Sequence, residues 1–144
     1  LCMSLVKITI GSTMAQDEKG RFETIAHGEL TEKNGTKYVR YAETKGTGME
    51  GTKTTLKWTE DTLTIIRHGV YEHTQELRAG FTSHTMYKTP YFAIPLEAKT
   101  SNLDIRGKES NWQIAAVYEV TLNEDPQGQI ILDIAIEEEE PSGN

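Results

Sequence analysis

The amino-acid sequence predicts an all-β protein, a single antiparallel meander that closes into a β-barrel of about eight to ten strands. Three observations support this prediction. Apolar and polar residues alternate along most of the chain, no stretch of helical length has an apolar repeat of about 3.6 residues, and short turns separate the alternating segments. Closure is favoured because an open sheet would expose edge strands that invite aggregation.

The clearest hairpin is predicted from Gly51 to Gly69. A tight turn at Glu60-Asp61, or a four-residue loop from Thr59 to Thr62, joins its two strands and gives the same pairing in both cases. The predicted pairs are Trp58 with Leu63, Leu56 with Ile65, Thr54 with Arg67, Lys57 with Thr64 and Thr55 with Ile66. One face is apolar and the other is mostly polar, as is typical of a half-buried antiparallel pair.

A second hairpin is predicted around Asn34-Gly35, because these two residues tolerate the positive φ angles that a type I′ turn requires at both central positions. The pairs that follow outward from this turn are Glu32 with Lys37, Leu30 with Val39, Glu29 with Arg40 and Gly28 with Tyr41. One register thus produces two cross-strand charge pairs, an apolar pair and an aromatic ring over a glycine.

The other strands follow from the alternation of apolar and polar residues. In chain order they are Val6 to Ile10, Phe22 to Glu32, Val70 to Arg78, Phe81 to Lys88, Leu103 to Ile105, Ile114 to Leu122 and Ile130 to Ile136. The loop NEDPQGQ separates the last two. Prolines in the stretch YKTPYFAIPL, from Tyr87 to Leu96, predict an edge strand or a bend there, since proline cannot donate to a sheet ladder.

The segments on either side of Ala79-Gly80 can pair as a third hairpin. With a two-residue turn, one face would carry Tyr71, His73, Gln75, Leu77, Thr82, His84, Met86 and Lys88. Such a mixture of aromatic, imidazole, amide and thioether groups is unlike a dry core, and it predicts either a cavity wall or a surface that meets water.

The composition predicts one domain, placed at residues 1–137, followed by an acidic flexible tail at residues 138–144. The formal net charge of −7 argues against a nucleic-acid partner, because such partners are bound by Lys and Arg on one face. Cys2 is the only cysteine, so we expect no intramolecular disulfide and a reducing compartment. Since no apolar run approaches the roughly 20 residues of a membrane helix, we expect a cytoplasmic protein without a membrane partner.

Four motifs also occur in a known family. They are TTLKW at Thr54 to Trp58, IIRHG at Ile65 to Gly69, YKTPY at Tyr87 to Tyr91, and the strand around Tyr118-Glu119-Val120. With these motifs, the chain from Val6 to Ile136 resembles the small uncharacterised bacterial proteins similar to YwiB, a domain of unknown function. The chain departs from the family pattern at Phe92, where a glycine is expected, and at Glu76-Leu77, where a more apolar pair is expected. The resemblance implies a calycin-like barrel, related in shape to lipocalins, and it implies no reaction.

Arg67 is the first candidate site residue. It shares the apolar face of the first hairpin with Trp58, and a guanidinium inside a barrel requires a carboxylate or an anionic ligand to offset its loss of water. An arginine at the rim that reaches water or pairs with a nearby Glu is the alternative. The candidate ligand-binding residues are Arg67 as the anchor and Trp58, His84, Tyr87 and Tyr118 as walls.

The residues predict neither a catalytic site nor a metal site. No HxH or HExxH spacing suggests zinc, no GxSxG suggests a nucleophile, and the glycines between Gly46 and Gly51 lack the lysine and the helix of a phosphate-binding loop. We expect the four histidines, His27, His68, His73 and His84, on the surface or on a cavity wall. We expect no cofactor.

Three functional hypotheses follow. The first is a non-enzymatic barrel that binds a small, partly apolar molecule in its lumen. If this molecule is charged, its charge is expected to be negative. The second is a protein-interaction or homo-oligomeric module, such as a homodimer, that uses the barrel exterior near Pro90 and Pro95. The third is an enzyme in which a carboxylate or histidine with a shifted pKa lies beside Arg67. An eight-stranded barrel is either filled by side chains or holds one small ligand, and the sequence does not choose between these cases.

Overall fold

The computed structural model describes residues 3–15 and 20–140. Within these ranges the chain forms ten β-strands and one short 3-10 helix at Lys45–Thr47. The strands are β1 (Ser4–Met14), β2 (Arg21–Lys33), β3 (Thr36–Ala42), β4 (Thr52–Trp58), β5 (Leu63–Gly69), β6 (His73–Leu77), β7 (Thr82–Lys88), β8 (Ala93–Lys108), β9 (Asn111–Leu122) and β10 (Asp125–Glu138). Strand β10 therefore extends one residue into the predicted acidic tail, while Cys2 and residues 141–144 lie outside the described residues.

All ten strands belong to one antiparallel sheet with the order β6-β5-β4-β3-β2-β1-β10-β9-β8-β7. The pairing of β1 with β10 joins the first and last strands, and the sheet curls until its edges, β6 and β7, meet. The predicted all-β fold, the antiparallel meander and a nearly closed barrel are thus confirmed. No helix in the described ranges is long and apolar enough to cross a membrane.

The hairpin predicted from Gly51 to Gly69 is confirmed. Strands β4 and β5 pair Trp58 with Leu63, Leu56 with Ile65 and Thr54 with Arg67, and the apolar face is buried inside the barrel. The Thr59 N–H donates to the Thr62 carbonyl at 3.0 Å between the two strands. Strand β4 ends at Trp58 and β5 begins at Leu63, so residues 59–62 lie between them and the four-residue loop is the one present.

The hairpin around Asn34-Gly35 is confirmed as well. Asn34 and Gly35 have φ angles of 53° and 81°, the signs that a type I′ turn requires. Strands β2 and β3 pair in the predicted register as far as Glu29 and Arg40, so the predicted pair of Gly28 with Tyr41 lies beyond this ladder. A Cβ atom at Gly28 would collide with the Arg40 carbonyl, so the position requires glycine.

Several strands are longer than predicted, and β8 and β10 show the largest extensions. Strand β8 is continuous over 16 residues, although the alternation predicts only the part from Leu103 to Ile105. A bulge at Ser101 shifts its register and so changes which side chains face inward, which conceals the continuity of the strand. Strand β10 likewise begins at Asp125, inside the predicted loop, and a bulge after Pro126 accommodates the residues that suggested a loop.

The proline-rich stretch contains the bend predicted for it, whereas only its first two residues belong to the edge strand β7. Strand β7 is an edge of the sheet, and the chain then turns at residues 89–92, where the Thr89 N–H donates to the Phe92 carbonyl at 2.8 Å. Pro90 lies in this turn, and Pro95 lies near the start of β8. Neither proline interrupts the ladder between β8 and β9, because that ladder begins at Leu96.

The third predicted hairpin is wrong in its pairing. Strands β6 and β7 lie at opposite edges of the sheet order and form no continuous ladder within the described residues. Glu72 and Lys88 exchange two backbone hydrogen bonds of 3.0 Å at one end of this seam. A further bond of 2.9 Å joins His73 Nε2 to Thr85 Oγ1. These contacts close the barrel where the ladder is missing.

The predicted faces of β7 are wrong for a related reason. In the turn between the two strands, the Phe81 N–H donates to the Arg78 carbonyl. Glu72 precedes Arg78 by six residues, whereas its bridge partner Lys88 follows Phe81 by seven. The extra residue on β7 reverses its inward and outward faces. The inward side chains are those of Ser83, Thr85 and Tyr87, and the outward ones are those of Thr82, His84 and Met86.

The barrel interior is packed with side chains at one end. The largest buried side chains there include Trp58, Leu63 and Leu77. Trp58 contacts Trp112 edge to face, with the ring centroids 5.7 Å apart. This end of the lumen is filled, so a cavity in the barrel has to lie towards the opposite end.

Substitution of Gly35 by alanine tests the type I′ turn. We expect Gly35→Ala to lower the free energy of unfolding by about 1–2 kcal/mol, because an L-residue resists the left-handed φ of this position. Urea denaturation measures the change. Gly46→Ala is the matched control, since a Cβ atom there would meet its nearest neighbour at 3.7 Å, and we expect a change below about 0.5 kcal/mol. Equal effects of the two substitutions would contradict the assigned turn.

Amide hydrogen exchange tests the seam. Backbone N–H groups alternate sides along a strand, so the amides of Thr74 and Met86 face the seam, two residues from the Glu72–Lys88 bridge. We expect these amides to exchange faster than the amides of β9, which has a ladder on both sides. Equal protection of β6, β7 and β9 would show that the seam is closed by a full ladder.

Candidate functional site

A partly enclosed cavity of about 250 Å³ lies at the end of the barrel opposite the Trp58–Trp112 contact. The aliphatic part of its wall includes Ile10, Leu56, Ile65, Ile130, Leu132 and Ile134. Its polar groups include Tyr41, Glu43, Arg67, Gln75 and Tyr118. Depressions on the outer surface have larger volumes, of about 460 to 590 Å³, but they open more widely to solvent and would surround a small molecule less completely.

Arg67 and Glu43 form the charged centre of this cavity. Arg67 points inward from β5, and Glu43 directly follows β3, with 4.0 Å between Arg67 Nε and Glu43 Oε2. The Thr54 hydroxyl donates to Glu43 Oε2 at 2.5 Å, which fixes the carboxylate. Arg67 Nε is shielded from water and has no hydrogen-bond partner among the described residues. The two charges therefore attract each other without completing a direct hydrogen bond.

Two buried tyrosines lie close to this charged pair. Burial raises the pKa of Tyr41, with a further increase from Glu43, while Arg67 opposes the shift. Burial likewise raises the pKa of Tyr118, and the charge of Arg67 and a hydrogen bond with Gln75 oppose that shift. Because both pKa values rise, both hydroxyls remain protonated at neutral pH and can donate hydrogen bonds.

His73 lies on β6 directly opposite Arg67 on β5. Burial, and then the charge of Arg67, lower the pKa of His73 to about 4, so its imidazole is neutral at neutral pH. Its ring contacts that of Tyr87 edge to face, with the ring centroids 5.4 Å apart. The ring centroids of Tyr87 and Tyr71 are 6.2 Å apart. Burial raises the pKa of Tyr87, an effect that Arg67 opposes. The positive charge of Arg67 thus lowers the pKa of four neighbouring groups, those of His73, Tyr87, Tyr41 and Tyr118.

The five predicted site residues separate into three groups. Arg67 and Tyr118 line the cavity. Tyr87 faces inward beside His73 but is not part of the cavity wall, and Trp58 belongs to the filled end of the lumen. His84 faces outward, with its side chain 72% exposed and its Nδ1 3.4 Å from a Glu97 oxygen, so its predicted position inside the barrel is wrong.

Glu43 and Tyr41 are polar groups of the cavity that were not among the predicted site residues. Glu43 was assigned to no predicted strand or site, yet it continues the alternation of β3, in which Val39 and Tyr41 face inward. Extending that alternation by one step past the end of the strand would have found the carboxylate. Gln75 was placed on a mixed face but was not singled out as a site residue.

Other side chains that the sequence raised lie outside the cavity. His27 pairs with Glu139, and His68 pairs with Glu72, both on the exposed surface. Phe92 is 51% exposed in the turn before β8, so it does not fill the lumen. No cluster of three or more His, Cys, Asp or Glu side chains in the described ranges could hold a metal ion.

Comparison with known proteins identifies relatives of this chain. The family model described as a domain of unknown function (DUF1934) matches residues 6–134. A crystal structure of the ywiB protein from Bacillus subtilis is similar with a TM-score of 0.82 and 18% sequence identity, covering 96% of this chain and 94% of that one. Among curated proteins, none matches. At this identity the structural similarity supports the fold alone.

The lowered pKa of His73 predicts a stability that depends on pH. The folded pKa of about 4 lies below the ordinary value of 6.5, so the unfolded chain takes up the proton first as the pH falls. The contribution of neutral His73 to the free energy of unfolding is fully present above about pH 6.5, and it is lost as the pH falls towards 4. Between pH 7 and pH 4 we expect the unmodified protein to lose about 2 kcal/mol more unfolding free energy than His73→Gln, after allowance for solvent screening.

Urea denaturation at several pH values measures this difference. His84→Gln is the matched control, because His84 is exposed and its removal should leave the pH dependence of the unmodified protein intact. If His73→Gln and the unmodified protein lose stability in parallel, His73 is not held neutral by the fold.

Proposed function

The chain belongs to the DUF1934 family, a domain of unknown function, and on that premise we propose that it is a non-enzymatic binding protein that takes one small molecule into its barrel. The ligand is partly apolar, and it carries an oxygen acceptor, in an anionic or a neutral group, that Arg67 can bind. Arg67 is the anchor of the ligand, and Tyr41, Gln75 and Tyr118 are the polar groups around it. A calycin-like barrel suits this role, since such barrels hold one small ligand in their lumen.

The observation that carries this proposal is the incomplete bonding of Arg67. Its Nε is removed from water and has no acceptor in the described part of the chain, although Glu43 lies only 4.0 Å away. A buried polar group left without a partner costs about 1–3 kcal/mol, and a charged group costs more. A ligand oxygen at this position would supply the acceptor and relieve that cost.

The walls of the cavity support the same proposal. Small-molecule sites are typically apolar concavities with a few convergent polar groups, and this cavity combines six aliphatic side chains with the polar set around Arg67. Its volume of about 250 Å³ lies just below the roughly 300–1,000 Å³ typical of sites for drug-sized ligands. The expected ligand is therefore a compact metabolite.

A protein-interaction or homo-oligomeric module is the second candidate function. Tyr91 and Phe92 support it, because they are 89% and 51% exposed in the turn after Pro90, beside the edge strand β7. Aromatic residues are enriched in the cores of protein interfaces. The partner in this case would be a second copy of the chain, which would place two such turns in one isologous interface.

An enzyme would require a titratable group beside Arg67 that faces a bound substrate. Glu43 meets this condition by its position, because its carboxylate lies next to Arg67 and lines the cavity, but its bond from Thr54 and its charge beside Arg67 also suit a binding site. His73 has a lowered pKa, but its Nε2 bonds to Thr85 and its ring is not part of the cavity wall. These contacts support binding as the first proposal.

Native mass spectrometry of the freshly purified protein tests the proposed function. We expect a native mass that exceeds the denatured mass by a small-molecule increment, and we expect Tyr118→Phe and Arg67→Gln to reduce the bound fraction by about tenfold or more, because each removes a hydrogen-bond donor from the cavity. Tyr91→Phe is the matched control and should keep the increment, since Tyr91 is exposed and is not part of the cavity wall.

Three other outcomes would redirect the assignment. A native mass equal to the denatured mass would argue against a retained ligand. An increment that persists in Arg67→Gln and Tyr118→Phe would place the ligand outside this cavity. A doubled native mass that Tyr91→Ala abolishes would favour the homo-oligomeric module.

A further inference from the structure

We infer that the ligand of this cavity presents a hydrogen-bond donor next to its acceptor, as a zwitterionic amino acid or a neutral carboxamide does. This inference rests on the proposed binding function and narrows its ligand class. It starts from Glu43, a carboxylate that lines the same cavity as Arg67. Among the described residues of the cavity wall, Arg67 is the one cation and Glu43 is the one anion.

The position of Glu43 is fixed by its surroundings. Its side chain is 4% exposed, and Thr54 donates to Oε2 from the neighbouring strand β4. Two carboxylate oxygens offer about four acceptor positions, and this bond occupies one of them. Glu43 therefore has accepting capacity to spare, and it is held in the cavity wall and cannot turn to solvent without giving up the bond from Thr54.

The two charges impose opposite requirements on an incoming polar group. Arg67 Nε needs an acceptor, and the Glu43 carboxylate favours a donor about 4 Å away. A ligand with a carboxylate alone would bring a second negative charge against Glu43 in a site with little water, and a ligand with an ammonium alone would face Arg67 in the same way. A head group that combines donor and acceptor satisfies both.

The remainder of the ligand is apolar and small. Aliphatic side chains of β1, β4, β5 and β10 form the wall around the charged centre, and Ile10, Leu56 and Ile65 are among them. Burial of apolar surface against this wall supplies affinity, and the polar pair fixes the orientation of the head group. The class is thus an amino acid with an apolar side chain, or the corresponding primary amide.

Two matched probe series test this inference. With a phenyl body the probes are phenylalanine, 3-phenylpropanamide, 3-phenylpropanoate and 2-phenylethylamine. With an isobutyl body they are leucine, 4-methylpentanamide, 4-methylpentanoate and isoamylamine. Within each series the apolar part is constant and the head group is zwitterionic, neutral with donor and acceptor, acidic or basic. Isothermal titration calorimetry on the unmodified protein, stripped of any retained ligand, gives the Kd of each probe.

We expect the amino acid or the amide of at least one series to bind about tenfold or more tightly than the acid and the amine of that series. The amino acid binding best identifies a zwitterion, and the amide binding best identifies a neutral head group. Glu43→Gln should reduce the preference for the amino acid or the amide over the acid of the same series, because it removes the negative charge that repels a carboxylate. Glu97→Gln, on the outer surface, is the matched control and should leave all affinities unchanged.

Acids that bind as tightly as the amino acids and amides would overturn this inference and leave the proposed function standing. Failure of every probe to bind would overturn it too, and the native mass spectrum then decides separately whether the cavity holds a ligand of another class. The comparison within each series uses the unmodified protein, so it remains decisive even if Glu43→Gln fails to fold.

Discussion

The barrel depends on one constraint, the two-residue period that determines which side chains of each strand face the lumen. Because the barrel is nearly closed, this constraint links all the strands: the register of each strand determines which residues of its neighbours face inward. Where the positions of the apolar residues along a strand shift by one, a β-bulge accommodates the extra residue. In β8 the inward positions pass from Leu96, Ala98 and Thr100 to Leu103 and Ile105 across the bulge at Ser101. The strand thereby keeps an apolar face on the core over its whole length.

The same constraint explains how much of the fold was predictable. The hairpins at Asn34-Gly35 and at residues 51–69 were predicted with their registers, because turn residues and a clear apolar phase both indicate one pairing. Strand β7 carries no such signal, since neither Ser83 and Thr85 nor His84 and Met86 form an apolar face. Its phase is determined by contacts across the seam, which join residues on opposite edges of the sheet and leave no local pattern. For that reason His84 was placed inside the barrel.

The candidate site was predictable to the extent that its residues lie in strands of clear phase. Arg67 and Tyr118 follow from the alternation of β5 and β9, whereas Glu43 lies one residue beyond β3, where strand patterns are usually no longer applied. The site is costly for the fold, because well-packed apolar side chains are often as stabilising as a buried ion pair or more so. The filled end around Trp58 and Trp112 supplies the packing, and the cavity end retains charges that packing alone does not require.

The closure of the barrel and the candidate site share residues. Arg67 is paired with His73 across β5 and β6, and His73 in turn bonds to Thr85 on the far edge of the sheet. A neutral imidazole can accept or donate in that bond, whereas a protonated one can only donate and would carry a second positive charge beside Arg67. The charge that polarises the cavity therefore also keeps His73 neutral at the seam. Any change in the charge of Arg67 or its surroundings therefore acts both on the cavity and on the seam between β6 and β7, where the ladder is missing.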